Sequence, residues 1–197
     1  MKFLIALLAL FSLSAFALTT GGPAPDFTLK GLNPKMQDIS LSDFKGKIVV
    51  LEWLNHGCPF VKKHYETGNM QGLQKKYTGQ NVIWLSVVSS APGKQGHVVT
   101  DGAIKEKIEH KSSATDVLLD PDGKVGKLYG AKTTPHMFII DKSGNLVYQG
   151  AIDDKADTDK DSVPSAKNYV ATGLDEVITG KKVTAHTTKS YGCSVKY

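Results

Sequence analysis

The 197-residue sequence contains no arginine and only two cysteines, and beyond one short apolar run near its start it has no further run that approaches the length needed to cross a membrane. Its 24 basic residues are therefore all lysines, which are spread along the chain and leave a net charge of +5. Because arginine makes most bidentate contacts to guanine and phosphate, and no stripe of lysines is present, we expect no nucleic-acid partner. Two cysteines exclude a disulfide-dense scaffold, and 41% hydrophobic residues predict a globular domain.

The first 17 residues have the pattern of an export signal. Lys2 is followed by the apolar run 3–13 and then by Ser-Ala-Phe-Ala at 14–17, whose small residues favour cleavage after Ala17. A membrane anchor is the alternative, but the run is too short for about 30 Å of hydrocarbon, and polar residues follow it at once. The sequence therefore predicts a signal peptide at 1–17, a periplasmic or secreted protein, and no stable membrane insertion. In such an oxidising compartment two cysteines can form a disulfide.

The apolar segments predict an α/β domain at residues 18–180, with a central mixed β-sheet flanked by helices and an N-terminal β-hairpin that turns at Asn33-Pro34. Strands are predicted at 27–29, 38–41, 48–54, 82–88, 114–119, 136–141 and 145–152. Helices are predicted at 58–77 with a break near Gly68, at 101–110, at 124–129 and from about 164 to 178. Residues 181–197 have no helical period, so we expect an unstructured C-terminal tail that is free to move and carries Cys193.

Cys58 is the strongest candidate for chemistry because it lies between a predicted strand and a predicted helix. With Pro59 at the first helical position, its sulfur meets the unpaired amide donors and the positive dipole end of that helix. Both stabilise a thiolate, so the pKa of Cys58 is expected to lie below that of free cysteine. Lys62 and Lys63 add positive charge one turn later. The alternative is a buried, inert cysteine.

Beyond Cys58, a series of short motifs follows in order along roughly residues 23–180. They are Ala24-Pro25-Asp26-Phe27-Thr28-Leu29, Asp43-Phe44-Lys45-Gly46-Lys47, Cys58-Pro59, Asp120-Pro121-Asp122-Gly123, Tyr129-Gly130, Thr134-Pro135 and Phe138-Ile139-Ile140-Asp141. This set resembles the thioredoxin-like superfamily, and more closely its redoxin branch, the alkyl hydroperoxide reductase/thiol-specific antioxidant family. The resemblance implies a thioredoxin fold in which Pro135 is a cis-proline facing the active cysteine. No cofactor is expected.

The sequence also departs from the patterns of these proteins. A thioredoxin-type Cys-x-x-Cys pair would need a second cysteine at position 61, where this chain has Val61. A peroxiredoxin would have threonine three residues before the cysteine and proline seven before it, but Asn55 and Leu51 stand there. Peroxiredoxins also use an arginine to orient peroxide and thiolate. Efficient peroxide reduction by that set of groups is therefore not expected.

Three further residues are candidates for assisting Cys58. Glu52 lies six residues earlier, close to where thioredoxins keep a buried carboxylate; burial would raise its pKa and let it act as a base, and a salt bridge at the surface is the alternative. His56 is a candidate for tuning the thiolate or relaying a proton, with capping or surface exposure as alternatives. His136 follows the candidate cis-proline, so it lies either near Cys58 or on the other side of its strand.

Together these features predict an exported thiol-dependent oxidoreductase in which Cys58 passes through a sulfenic acid or a mixed disulfide and Cys193 is the resolving thiol. The expected substrate is a peroxide or a disulfide of another protein, and the expected partner is a thiol electron donor. Two alternatives stay open. One is copper or zinc binding by Cys58, His56 and His136, and the other is a non-catalytic domain whose disulfide is structural.

Overall fold

The computed structural model describes residues 18–32 and 37–197. The predicted signal peptide and the predicted turn at Asn33-Pro34 lie outside the described residues. In chain order the elements are β1 (Thr28–Gly31), β2 (Asp38–Ser40), β3 (Val49–Trp53), α1 (Pro59–Glu66), α2 (Asn69–Thr78), β4 (Ile83–Val88), α3 (Thr100–Glu109), β5 (Asp116–Leu119), α4 (Lys124–Leu128), β6 (Thr133–Thr134), β7 (His136–Ile140), β8 (Leu146–Gly150), α5 (Tyr169–Ile178) and β9 (Cys193–Ser194). None of these helices is long and apolar enough to span a membrane, within the described part of the chain.

Seven strands form one mixed sheet in the order β2-β1-β5-β4-β3-β7-β8. The central strands β5, β4 and β3 are parallel to one another, whereas β1, β2, β7 and β8 are antiparallel to their neighbours. Every residue of β3 and β7 is buried, as expected for continuous apolar segments in the middle of a covered sheet. The predicted α/β class, the mixed central sheet and the N-terminal strand pair are therefore confirmed.

The sheet separates two apolar clusters, and one of them contains Cys58. Neighbouring residues of β3 show the division, because Val50 packs in the cluster of Cys58 and Leu51 packs in the other cluster. Successive side chains of a strand point to opposite faces of the sheet. The position of a residue along its strand therefore decides whether its side chain can approach Cys58.

Helix α5 starts later than predicted. It begins at Tyr169 rather than near residue 164, and the side-chain oxygen of Asn168 accepts the N–H of Ala171 at 2.8 Å. This capping bond gives the helix its start. The preceding segment Lys160–Ser165 forms a separate 3₁₀ helix.

The C-terminal tail is also different from its prediction, because it is not an unstructured segment. Strand β9 pairs antiparallel with β6, so that Cys193 lies opposite Thr134. The peptide bond between Thr134 and Pro135 is cis, as predicted. The absence of a helical period was a correct observation, but it did not reveal a strand whose partner lies far away in the sequence.

Candidate active site

Cys58 follows the loop after β3 and forms the N-cap of α1. Its backbone is extended, with φ −81° and ψ 126°, and Pro59 is the first helical residue. Proline fits this position because the first amides of a helix have no partner within the helix. The side chain of Cys58 is 0% exposed. The thiol is therefore at the predicted helix start but is covered by other parts of the chain.

Two backbone segments contact the Cys58 sulfur. The thiol donates to the carbonyl oxygen of Thr134 at 3.0 Å, and cis-Pro135 follows directly. From the tail, the N–H of Cys193 donates to Cys58 Sγ at 3.4 Å. The side chain of Cys193 is also hydrogen-bonded to Cys58. The structure thus brings together Cys58 and Cys193 beside the cis-proline loop.

The surroundings of the two cysteines move their pKa values in opposite directions. Burial favours the neutral thiol of Cys58, but hydrogen bonds from the Cys193 side chain, the Cys193 N–H and the Val61 N–H outweigh burial and lower the pKa. Burial, together with the hydrogen bond to Cys58, raises the pKa of Cys193 to about 11. The direction for Cys58 agrees with the prediction, although the tail contributes donors in addition to the helix start.

The tail follows a path that two glycines leave open. Gly192 has a φ of +123°, and a Cβ on it would overlap the carbonyl oxygen of Thr134. Gly150 has a φ of +148°, and a Cβ on it would overlap Thr188 of the tail. Glycine adopts such a positive φ without a steric penalty and has no side chain to clash. Both positions therefore allow the tail to lie directly against the domain.

The last residues of the chain hold the tail in place beyond Cys193. The N–H of Val195 donates to the carbonyl of Lys132 at 3.1 Å. The hydroxyl of Tyr197 donates to the carbonyl of Ala131 at 2.8 Å, and a Cβ on Gly126 would collide with the Tyr197 ring. The tail therefore remains attached to the domain after it has passed Cys58.

Tyr191 holds the tail on the other side of Cys193. Its hydroxyl donates to Asp153 Oδ1 at 2.6 Å and lies 3.0 Å from His64 Nε2. The side-chain amide of Asn69 donates to His64 Nδ1 at 2.8 Å, so Nε2 carries the ring proton and donates it to Tyr191. This chain of hydrogen bonds connects the tail to α1 and α2. Sequence reasoning missed it, since Tyr191 lacks a motif and its partners are distant in the sequence.

Two buried ionisable groups of α1 lie beside this anchor. Burial lowers the pKa of His64 to about 4, so the ring is neutral near pH 7. Lys63, which is 1% exposed, donates to the carbonyl of Lys155 at 2.7 Å and to Asp157 at 3.3 Å. The ammonium group of Lys63 is thus bound to the acidic loop that follows β8. The positive charge that Lys63 was expected to add near Cys58 is therefore paired with this loop.

Glu52 is completely buried on β3, in a network of four donors. They are Tyr65 Oη at 3.0 Å, Gln74 Nε2 at 3.1 Å, Trp84 Nε1 at 2.8 Å and Ser86 Oγ at 2.9 Å. Burial raises the pKa of Glu52, and these hydrogen bonds oppose the rise. The surface salt bridge considered for Glu52 is therefore wrong. Its four bonds lead to neighbouring elements rather than to Cys58, and its role as a base stays a prediction.

Comparison with known proteins identifies the family. The sequence model described as the AhpC/TSA family matches residues 20–149. The chain belongs to the AhpC/TSA family. The predicted resemblance to the redoxin branch is thereby confirmed.

This AhpC/TSA chain is similar to a named thiol-disulfide oxidoreductase and to two solved structures. It is 30% identical over 129 residues to the thiol-disulfide oxidoreductase ResA of Bacillus thuringiensis subsp. konkukian (strain 97-27), covering 66% of this chain and 68% of the relative. The crystal structure of an uncharacterized conserved protein from Geobacillus kaustophilus matches with a TM-score of 0.77 at 24% identity, covering 92% and 94% of the two chains. The exposed lipoprotein thioredoxin of Streptococcus pneumoniae strain TIGR4 matches with a TM-score of 0.51 at 28% identity, covering 72% and 96%. These similarities confirm the thioredoxin-like fold and support the predicted oxidoreductase class.

His56 of this AhpC/TSA protein packs between helices instead of contacting the thiol. Its ring stacks on His110 with centroids 3.7 Å apart and meets the Tyr65 ring edge-on at 4.7 Å. Burial, and then the charge of His110, lower the pKa of His56 to about 3. The surface exposure considered as an alternative for His56 is wrong, and its role in tuning the thiolate or relaying a proton stays a prediction.

His136 lies on the face of the sheet opposite Cys58. It packs against Phe138 with ring centroids 4.5 Å apart, and its Nδ1 accepts the N–H of Lys132 at 3.2 Å. Burial lowers its pKa to about 4. Of the two alternatives for His136, the one pointing away from the thiol is correct.

The residues of the metal-binding alternative are therefore not brought together. Cys58, His56 and His136 point to different neighbours, because His136 is on the far face of the sheet and His56 stacks on His110, directly after α3. Among residues 18–32 and 37–197, no group of three or more histidine, cysteine, aspartate or glutamate side chains could hold a metal ion. Copper or zinc binding by that set is not supported.

Proposed function

We propose that this AhpC/TSA protein is an exported thiol-disulfide oxidoreductase whose redox pair is Cys58 and Cys193. The observation that carries the proposal is the 3.4 Å contact between the Cys193 N–H and Cys58 Sγ, which the docked tail creates. A chain without a Cys-x-x-Cys motif thereby has a second thiol beside the first. In each cycle the two thiols lose two electrons and two protons and form one S–S bond, while a substrate disulfide becomes two thiols. The reverse reaction oxidises a substrate dithiol.

The different acidities of the two sulfurs support exchange rather than an inert pair. A thiolate is the nucleophile in thiol-disulfide exchange, and a thiol of low pKa is also the better leaving group. The hydrogen bonds that lower the pKa of Cys58 stabilise its thiolate in the reduced protein. A stabilised thiolate makes the disulfide easier to reduce, as expected of a pair that turns over.

Protein thiols and disulfides are a better substrate class than peroxides for this site. The sequence has no arginine to orient a peroxide beside Cys58. The similarity to ResA, a thiol-disulfide oxidoreductase, supports the same class. A thiol or dithiol electron donor completes the cycle.

Export is part of the proposal because it supplies an environment in which a disulfide can form. The apolar segment 3–13 and the small residues before position 18 motivate it, and one structural relative is an exposed lipoprotein. Intact mass of the protein recovered from its host should correspond to a chain starting at Leu18. Recovery of the uncleaved chain from the cytoplasm would contradict export without affecting the redox pair.

Equilibration of the protein with glutathione buffers of graded potential tests the redox pair. Peptide mapping should find one Cys58–Cys193 disulfide that forms and opens reversibly, and reduction of a disulfide-linked peptide should be lost in Cys58→Ser. The matched control is the Cys193→Ser variant, in which Cys58 is the single remaining thiol. Two free thiols after mild oxidation would refute the pair, and a disulfide that resists ordinary dithiols would favour the structural alternative.

A further inference from the structure

The two sulfurs of the proposed pair differ in their access to solvent. Cys58 is completely buried, whereas Cys193 is partly exposed on β9. The next residue of that strand, Ser194, is exposed. While the tail is docked, Cys193 is therefore the more accessible of the two residues to an incoming thiol.

The direction of approach leads to the same distinction. A thiolate attacks a disulfide along the S–S axis, from the side opposite the sulfur that leaves. Attack on Cys58 would have to come from the side opposite Cys193, within the apolar cluster that encloses Cys58. The Thr134 carbonyl oxygen, 3.0 Å from Cys58 Sγ, further crowds that sulfur. Attack on Cys193 would come from the side opposite Cys58, and Cys193 is a partly exposed residue at the edge of that cluster.

The tail is held by hydrogen bonds on both sides of Cys193, so uncovering Cys58 would require these bonds to break. Before Cys193, Tyr191 is bound to Asp153 at 2.6 Å. After it, the Val195 N–H donates to Lys132 at 3.1 Å. The two cysteines are already in contact, so closing the disulfide would add a covalent bond to this attachment.

We infer that thiol partners enter at Cys193, the cysteine expected to act as the resolving residue, and form their mixed disulfide with it. This inference rests on the proposed Cys58–Cys193 redox pair. In the step, the partner thiol gives up its proton and its thiolate attacks Cys193 Sγ. A bond forms between the partner sulfur and Cys193 while the Cys58–Cys193 bond breaks, and its electron pair leaves on Cys58 as a thiolate. A second thiol of the partner then attacks the mixed disulfide, and Cys193 leaves as a thiol after taking up a proton.

The acid–base properties of the pair are consistent with this order. Cys58 has the lowered pKa and is therefore the better leaving group, whereas the pKa of Cys193 is raised to about 11. The site therefore favours a route in which Cys58 receives the electron pair and Cys193 carries the partner.

Rapid-quench mapping of the mixed disulfide tests this inference on the full native chain. The oxidised protein is mixed with excess glutathione and quenched in acid, which stops exchange by protonating thiolates. Mass spectrometry of the peptides then locates glutathione. It should be found on Cys193, with Cys58 as the free thiol, in at least about tenfold excess over the opposite arrangement. Glutathione mainly on Cys58, or equally on both, would overturn the inference.

Two controls separate the possible failures. The same oxidised protein unfolded in guanidinium chloride should carry glutathione on both cysteines in comparable amounts, because the fold no longer distinguishes the sulfurs. If no Cys58–Cys193 disulfide forms at all, the proposed function fails and this inference fails with it. If the disulfide forms but glutathione is found on Cys58, only the assignment of the entry sulfur is wrong.

Discussion

Replacing Gly192 by alanine should uncouple the two cysteines without removing either of them. Gly192 has a φ of +123°, and a Cβ there would overlap the Thr134 carbonyl oxygen. A non-glycine residue in such a sparsely populated conformation costs about 1–3 kcal/mol, before any steric overlap is counted. Since about 1.4 kcal/mol corresponds to a factor of ten, the effective concentration of Cys193 at Cys58 should fall roughly 5- to 150-fold.

The equilibrium between the protein dithiol and glutathione disulfide measures this effective concentration. The alkylation rate against pH provides a second readout, because loss of the Cys193 donors should raise the pKa of Cys58. Gly144→Ala is the matched control, since Gly144 also has a positive φ of +82° but has nothing within 4 Å of an added Cβ. The argument for tail docking is refuted if Gly192→Ala and Gly144→Ala leave both quantities equally close to the wild type.

Three other substitutions or reactions test separate parts of the site. Tyr191→Phe removes the hydroxyl between Asp153 and His64, so the effective concentration of Cys193 at Cys58 should fall by a factor corresponding to about 1–3 kcal/mol. The control is Tyr77→Phe, which loses a hydroxyl elsewhere in the domain and should leave the same glutathione equilibrium unchanged. Because burial raises the pKa of Glu52 above its ordinary value of 4.5, the contribution of Glu52 to the free energy of unfolding should be fully present below pH 4.5 and be lost as the pH rises through its folded-state pKa. The buried histidines act in the opposite direction, so this contribution is measured as the difference between the wild type and Glu52→Gln. Unfolding titrations with guanidinium chloride at several pH values should find that Glu52→Gln lacks this loss of unfolding free energy. A pH dependence equal to that of the wild type would contradict a raised pKa of Glu52. Hydrogen peroxide should oxidise Cys58 on the order of 10² to 10³ times more slowly than peroxiredoxins with their arginine and threonine, and a stopped-flow rate equal to theirs would show that other donors replace those groups.

Local chemistry made the central part of the site predictable. The β3 pattern, the cysteine at a helix start and Pro59 at the first helical position determine where Cys58 lies, and these constraints act within a few residues of one another. The same apolar strand carries Glu52 into the sheet, but the sequence left a surface salt bridge open as the alternative to burial. The cis bond before Pro135 was predictable only through the family resemblance.

The tail was not predictable because its structure depends on distant partners. Gly192 fits against Thr134, and Tyr191 binds Asp153, yet none of these positions has a local pattern that announces the contact. A two-residue strand such as β9 is also too short to produce an alternating signal. The side of a strand on which His136 lies was undecided for a related reason, since it depends on the register of β7 with β3.

The long separation of the two cysteines connects the redox state to the docking of the tail. Cys58 and Cys193 are 135 positions apart in the sequence, so a bond between them closes a loop for which chain-entropy arithmetic gives about 5 kcal/mol of stabilisation. In a Cys-x-x-Cys pair the second thiol is held by the same helix as the first, whereas here it is held by Tyr191, Gly192 and the residues after Cys193. In the proposed pair, any change that loosens the tail must therefore weaken the disulfide by the same free energy, and forming the disulfide must tighten the tail equally. The reduction potential of the proposed pair is thus a property of the tail as much as of the two thiols.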